Sequence, residues 1–115
     1  MATFKIKRVY EDAESADGLR VLVDRLWPRG VKKDKIDIWL KDVAPSAELR
    51  NWFHHEPRKF ADFDRKYRAE LKKNPAVAEL RKLSRQYKTV TLLYGARDTE
   101  NNQAVVLKKY LASKR

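Results

Sequence analysis

Apolar and polar positions change period several times along this chain, and each change marks an element. Phe4, Ile6 and Val9 stand against Lys5, Lys7 and Arg8 in a weak alternation that predicts a first strand over 4–10. Leu19-Arg20-Val21-Leu22-Val23 is a denser, β-branched run and predicts a buried strand reaching to about residue 26. Thr89-Val90-Thr91-Leu92-Leu93-Tyr94 reads the same way. The polar link from Glu11 to Gly18 ends in Asp17-Gly18, a turn signal. It is too short for a crossover helix, so the first two strands are antiparallel or joined by one short helical turn.

Between the two strong strands the period becomes helical. Ile36, Trp39, Leu40 and Val43 share one face of a short helix predicted over 33–43, which Ala44-Pro45 breaks. Ser46 is an N-cap, with Leu49, Trp52 and Phe53 facing inward. Pro57 opens a longer segment whose Phe60, Phe63, Tyr67 and Leu71 form one apolar stripe. Asn74-Pro75 starts another helix, with Val77, Leu80, Ser84 and Tyr87 on its inner face. A last helix begins at about Asn101–Asn102 and carries Ala104, Leu107 and Leu111. Strand, helices, strand, helix is the order of an α/β fold: a small, mostly parallel sheet flanked by helices, a single domain over 1–115.

Composition narrows the function classes. The 115 residues include no cysteine, so disulfides, thiol catalysis and thiolate metal sites are excluded. No apolar run has the length of a membrane span and the N-terminus lacks a signal-peptide core, so a cytoplasmic protein without a membrane partner is expected. The formal charge is +11, and eleven basic against four acidic residues fall between Arg58 and Lys88. A solvated helical face explains that excess; the rival explanation is a polyanion surface.

Chemistry concentrates at two strand ends. Asp24-Arg25-Leu26-Trp27-Pro28-Arg29-Gly30 follows the second strand, and Gly95-Ala96-Arg97-Asp98 follows the last. Loops at the carboxyl ends of parallel strands are where α/β sheets bind ligands. Arg25, Arg29 and Arg97 are candidate anion contacts, Trp27 a candidate wall, and Asn102 a candidate ligand contact at the helix start. Asp24 and Asp98 are candidate bases, and His55, beside Glu56, a candidate acid–base. The competing reading is that Asp24 with Arg97, or Arg25 with Asp98, merely stitches the loops together. Adjacent His54-His55 is a poor metal motif, no glycine-rich nucleotide loop is present, and no cofactor is expected.

These residues carry a family resemblance. The chain resembles the small, YeaO-like branch of the bacterial proteins grouped as domain of unknown function 488 (DUF488). The likeness runs through Lys7-Arg8-Val9-Tyr10, Asp17-Gly18, Arg20 to Gly30, Trp39, Ala44-Pro45-Ser46, Leu49-Arg50, Trp52-Phe53, His55, Tyr67, Glu70-Leu71, Leu92-Leu93-Tyr94 and Asn102. It implies a compact α/β domain and no particular activity. Where the resemblance implies Asn-His-Ala, this chain has Asn102-Gln103-Ala104. That difference favours binding over histidine catalysis at the last helix. The sequence therefore points to a small phosphate- or carboxylate-bearing ligand between loops 24–30 and 95–102. The alternatives are a nucleic-acid accessory role for the basic helices and an interaction module without a small ligand.

Overall fold

The computed structural model describes residues 2–113. Four strands, β1 (Thr3–Arg8), β2 (Leu19–Leu22), β3 (Ile38–Trp39) and β4 (Thr89–Tyr94), form one sheet in the order β1-β4-β2-β3. Every pairing is parallel, with Leu92 of β4 opposite Ile6 on one side and Val21 on the other. Residues 90–94 of this central strand are all buried. A strand covered on both faces needs an unbroken apolar run, which is what its sequence supplies.

The two faces are covered differently. One carries the main core, in which Val21, Val23, Val90 and Leu92 pack with Leu49, Phe53, Phe63, Tyr67, Leu80, Ala104 and Leu107. These belong to helices α1 (Ala47–Phe53), α2 (Phe60–Lys72), α3 (Ala76–Ser84) and α4 (Gln103–Ala112). On the other face Val9, Leu22, Ile36 and Leu93 form a smaller cluster, with Trp27 and Val31 packed against it.

The β1–β2 link is the short helical turn, a 3₁₀ turn at Ser15–Asp17, and β1 and β2 both run parallel to β4, which lies between them. Gly18 then has φ +64°, and a Cβ there would stand 2.2 Å from the Thr89 carbonyl oxygen. Only glycine permits the chain to pass that close. Beside it, buried Asp17 accepts hydrogen bonds from Lys7, Arg20 and the Glu14 amide.

The helix predicted over 33–43 does not form. That stretch holds 3₁₀ turns at Lys33–Lys35 and Lys41–Val43 with β3 between them. Arg20 N–H donates to the Asp37 carboxylate (2.9 Å), Asp37 N–H to Arg20 C=O (2.9 Å) and Leu40 N–H to Leu22 C=O (2.9 Å), so sheet pairing outcompetes a local helix. The apolar residues accordingly part company: Ile36 joins the smaller cluster, Leu40 and Val43 the main core.

The remaining helices start where their caps direct. Ser46 Oγ accepts from Leu49 N–H (3.1 Å) and Asn102 Oδ1 from Val105 N–H (3.1 Å). Asn74 Oδ1 accepts from Ala76 N–H (2.9 Å), with Pro75 in the cap position, one residue later than the sequence suggests. Phe63, Tyr67 and Leu71 of the predicted stripe are buried, and Tyr67 donates its hydroxyl to Val43 C=O at 2.6 Å. No helix among the described residues is long and apolar enough to cross a membrane.

Candidate functional site

Because β2 and β4 are parallel neighbours, their carboxyl ends lie side by side. Val23 N–H still donates to Leu93 C=O (3.0 Å), and the next residue, Asp24, turns its side chain toward β4. Its Oδ2 accepts from Gly95 N–H (2.9 Å), and its Oδ1 accepts from the Gln103 side-chain amide at the start of α4. Burial raises the Asp24 pKa above the ordinary carboxylate value, opposed by these two donors and by the positive fields of Arg50 and His55.

The loop after β4 is tied by its own acid. Asp98 accepts from Asn101 through its backbone N–H (2.9 Å) and its side-chain amide (3.0 Å), and from Glu100 N–H (2.9 Å). These bonds, the Asn101 side chain first, hold its carboxyl below the usual range. Asn102, 2% exposed, donates to Asp98 C=O (2.9 Å) while capping α4. It is committed to the fold through both ends of its amide.

The opposite wall comes from α1. The helix ends in two consecutive non-glycine residues with left-handed backbones, His54 at φ 47° and His55 at φ 56°. Such a conformation is uncommon outside glycine and clusters at functional sites. Between these walls lies a cleft of about 510 Å³. Phe53, Phe63, Ala44 and Pro45 line its apolar part, and Phe53 stacks on Phe63 with ring centroids 4.4 Å apart. Asp24, Arg50, Asn51, His54, His55, Asn101, Asn102 and Gln103 supply the polar lining. Arg50 is incompletely paired: its Nε is buried with no hydrogen-bond partner. Among the described residues no ion pair joins Arg50 to Asp24.

The fold thus brings Asp24, His55 and Asn102 to one cleft and leaves the other candidates outside its lining. Arg25 Nη2 donates to Ala44 C=O and Pro45 C=O, each at 3.3 Å, bracing the cleft wall from behind. Trp27 donates to Val31 C=O (2.9 Å) and packs edge-on against Trp39 at 5.4 Å, over the smaller cluster. Arg29 and Arg97 are exposed. Asp98 shapes the loop beside the cleft. Loop 24–30 splits its residues because Trp27 must cover Val9, Leu22, Ile36 and Leu93 on the far side of the sheet. Neither stitching pair, Asp24 with Arg97 or Arg25 with Asp98, is present among the described residues.

Arg50 is not a candidate from the sequence, and Gln103 stands there only as the residue in place of the histidine that the resemblance implies. Arg50 lies one helical turn before His54, so a site at His55 has it within reach; Gln103 immediately follows the Asn102 cap. Of the basic helices, Arg65 pairs with Asp62 (2.8 Å) and Arg68 with Asp64, while Lys59 and Lys66 lie over the Trp52 ring at 5.1 and 4.9 Å.

Comparison with known proteins agrees with the resemblance. An uncharacterised protein of Mycobacterium tuberculosis (strain H37Rv) is 48% identical over 109 residues, 93% of this chain and 92% of that one. The uncharacterised Escherichia coli K12 protein YeaO is 45% identical over 109 residues, 93% and 95% of the two chains. No solved structure matches. Residues 3–115 match the family DUF488-N3i, described as the inactive DUF488-N3 subclade, and the chain belongs to that family.

Proposed function

We propose that this protein binds a small phosphate- or carboxylate-bearing molecule in the cleft between β2, β4, α1 and α4, without chemically transforming it. The observation that carries this reading is Arg50, a residue of the cleft lining that makes no ion pair among the described residues. Guanidinium forks match carboxylate and phosphate oxygens. Arg50 takes the role that the sequence suggested for Arg25 and Arg29. The family's description as inactive supports binding without turnover. So does Gln103: at the position where the resemblance implies histidine, its amide still donates to Asp24 but carries no proton between reactants. His55 then serves as a rim contact.

Thermal shift tests this with inorganic phosphate and benzoate as probes. A probe at about 100 times its dissociation constant adds about 2.7 kcal/mol, a rise of roughly 10 °C for a domain of this size. Arg50→Gln should remove the response and Arg29→Ala should keep it. Wild type that responds to no molecule bearing a carboxylate or phosphate group, or Arg50→Gln that responds as wild type does, overturns the proposal.

A further inference from the structure

Resting on the anion-binding reading, the cleft also constrains the rest of the ligand. It holds two opposite formal charges on separate walls, Asp24 at the strand end and Arg50 on α1, with no ion pair between them among the described residues. In a partly desolvated cleft, unpaired opposite charges are costly unless something bridges them. A purely anionic ligand that meets Arg50 also confronts the Asp24 carboxylate. A purely cationic one confronts Arg50.

Asp24 keeps acceptor capacity. Its two oxygens offer about four lone-pair sites, and each oxygen accepts one protein donor, Gly95 N–H and the Gln103 amide. Two acceptor sites therefore carry no protein donor among the described residues. The same lining includes Phe53 and Phe63, and Leu26, 69% exposed. The 510 Å³ volume lies in the range of ordinary small-molecule sites.

We infer that the cleft takes a zwitterion of the α-amino-acid kind: the carboxylate on Arg50, the ammonium on Asp24, and an apolar side chain against Phe53 and Phe63. The juxtaposition of one acid, one guanidinium without an ion pair among the described residues and two phenyl rings in a single lining matches all three parts of such a molecule.

Calorimetric titration of the full chain with each of the twenty free amino acids is the test. It is followed, for the tightest, by its decarboxylated amine and its deaminated acid; phosphate and benzoate are titrated alongside. The expected result is binding of one or more amino acids, with both truncated analogues at least tenfold weaker. Asp24→Asn should weaken the amino acid tenfold or more without weakening the deaminated acid, and Arg50→Gln should weaken both. The ligand series on wild type stands even if a variant folds poorly. If the deaminated acid, phosphate or benzoate binds as tightly as the best amino acid, or if no amino acid binds while those anions do, the zwitterion inference fails and the anion-binding reading survives. If nothing bearing an acidic group binds, both fail together.

Discussion

The cleft wall depends on a clamp that can be broken one bond at a time. Ser46, the cap of α1, donates its backbone N–H to Glu70 Oε1 (2.9 Å) and its hydroxyl to Glu70 Oε2 (2.6 Å), while its Oγ accepts from Leu49 N–H (3.1 Å). One carboxylate on α2 thereby anchors the start of the helix that carries Arg50, Asn51 and Phe53. Bonds to a charged acceptor contribute about 1.5–3 kcal/mol each. The clamp is only partly buried, so water replaces some of what is lost, and Glu70→Ala should cost about 2–3 kcal/mol in total. Glu70→Gln keeps an acceptor for one Ser46 donor and should cost about 1 kcal/mol. Ser46→Ala loses the cap, about 1 kcal/mol, together with the hydroxyl bond to Glu70. The assay is urea unfolding, in which the midpoint should fall with an unchanged slope, and the double mutant should show a coupling of about 1 kcal/mol or more. Glu70→Ala should also weaken the benzoate response, since α1 positions Arg50. A loss under about 0.5 kcal/mol for Glu70→Ala, or additive single and double mutants, refutes the clamp.

Further outcomes follow from the same structure. Gly18→Ala forces a Cβ to 2.2 Å from Thr89 O at φ +64°, and should cost about 3–5 kcal/mol or prevent folding, read by the same urea assay. Tyr67→Phe leaves the Val43 carbonyl unpaired in the core and should cost about 1–3 kcal/mol. For Asp24→Asn the sign of the pH dependence is the test. A carboxyl whose folded pKa lies above its unfolded value penalises the fold once ionised, and the penalty lifts as pH falls through that raised pKa toward 3.8. Melting temperatures across this window should therefore shift in favour of wild type on acidification; a shift in favour of the variant means the pKa is depressed. Binding to nucleic acid should appear only at low salt and be indifferent to Lys72→Glu plus Lys82→Glu. Binding that survives near-physiological salt and falls with those changes would make the basic helices a working polyanion surface.

Much of this architecture is local in origin, which is why it is legible in the residues. The β4 run, the Phe63-Tyr67-Leu71 stripe and the Ser46 and Asn102 caps each state their own conformation within a few positions. The parallel pairing of β2 and β4, and so the meeting of Asp24 with loop 95–102, follows from the order of elements and the length between them. Residues 33–43 mislead because Ile36, Trp39, Leu40 and Val43 satisfy a helical spacing, while the decision rests on β2, whose edge offers Arg20 and Leu22 as backbone partners.

The site divides the same way. Chain breaks, caps and titratable residues are visible in order along a chain, and they make Asp24, His55 and Asn102 candidates together with Arg25, Trp27, Arg29, Arg97 and Asp98; the first three line the cleft. Which arginine lines the cleft depends on how the sheet and helices assemble. Arg25, Arg29 and Arg97 lie nearer in sequence to the strand ends, yet Trp27 draws loop 24–30 toward the opposite face while α1 brings Arg50 across the gap. Side-chain direction at a turn is set by what must be buried beneath it, and that is a property of the assembled sheet rather than of any stretch of sequence.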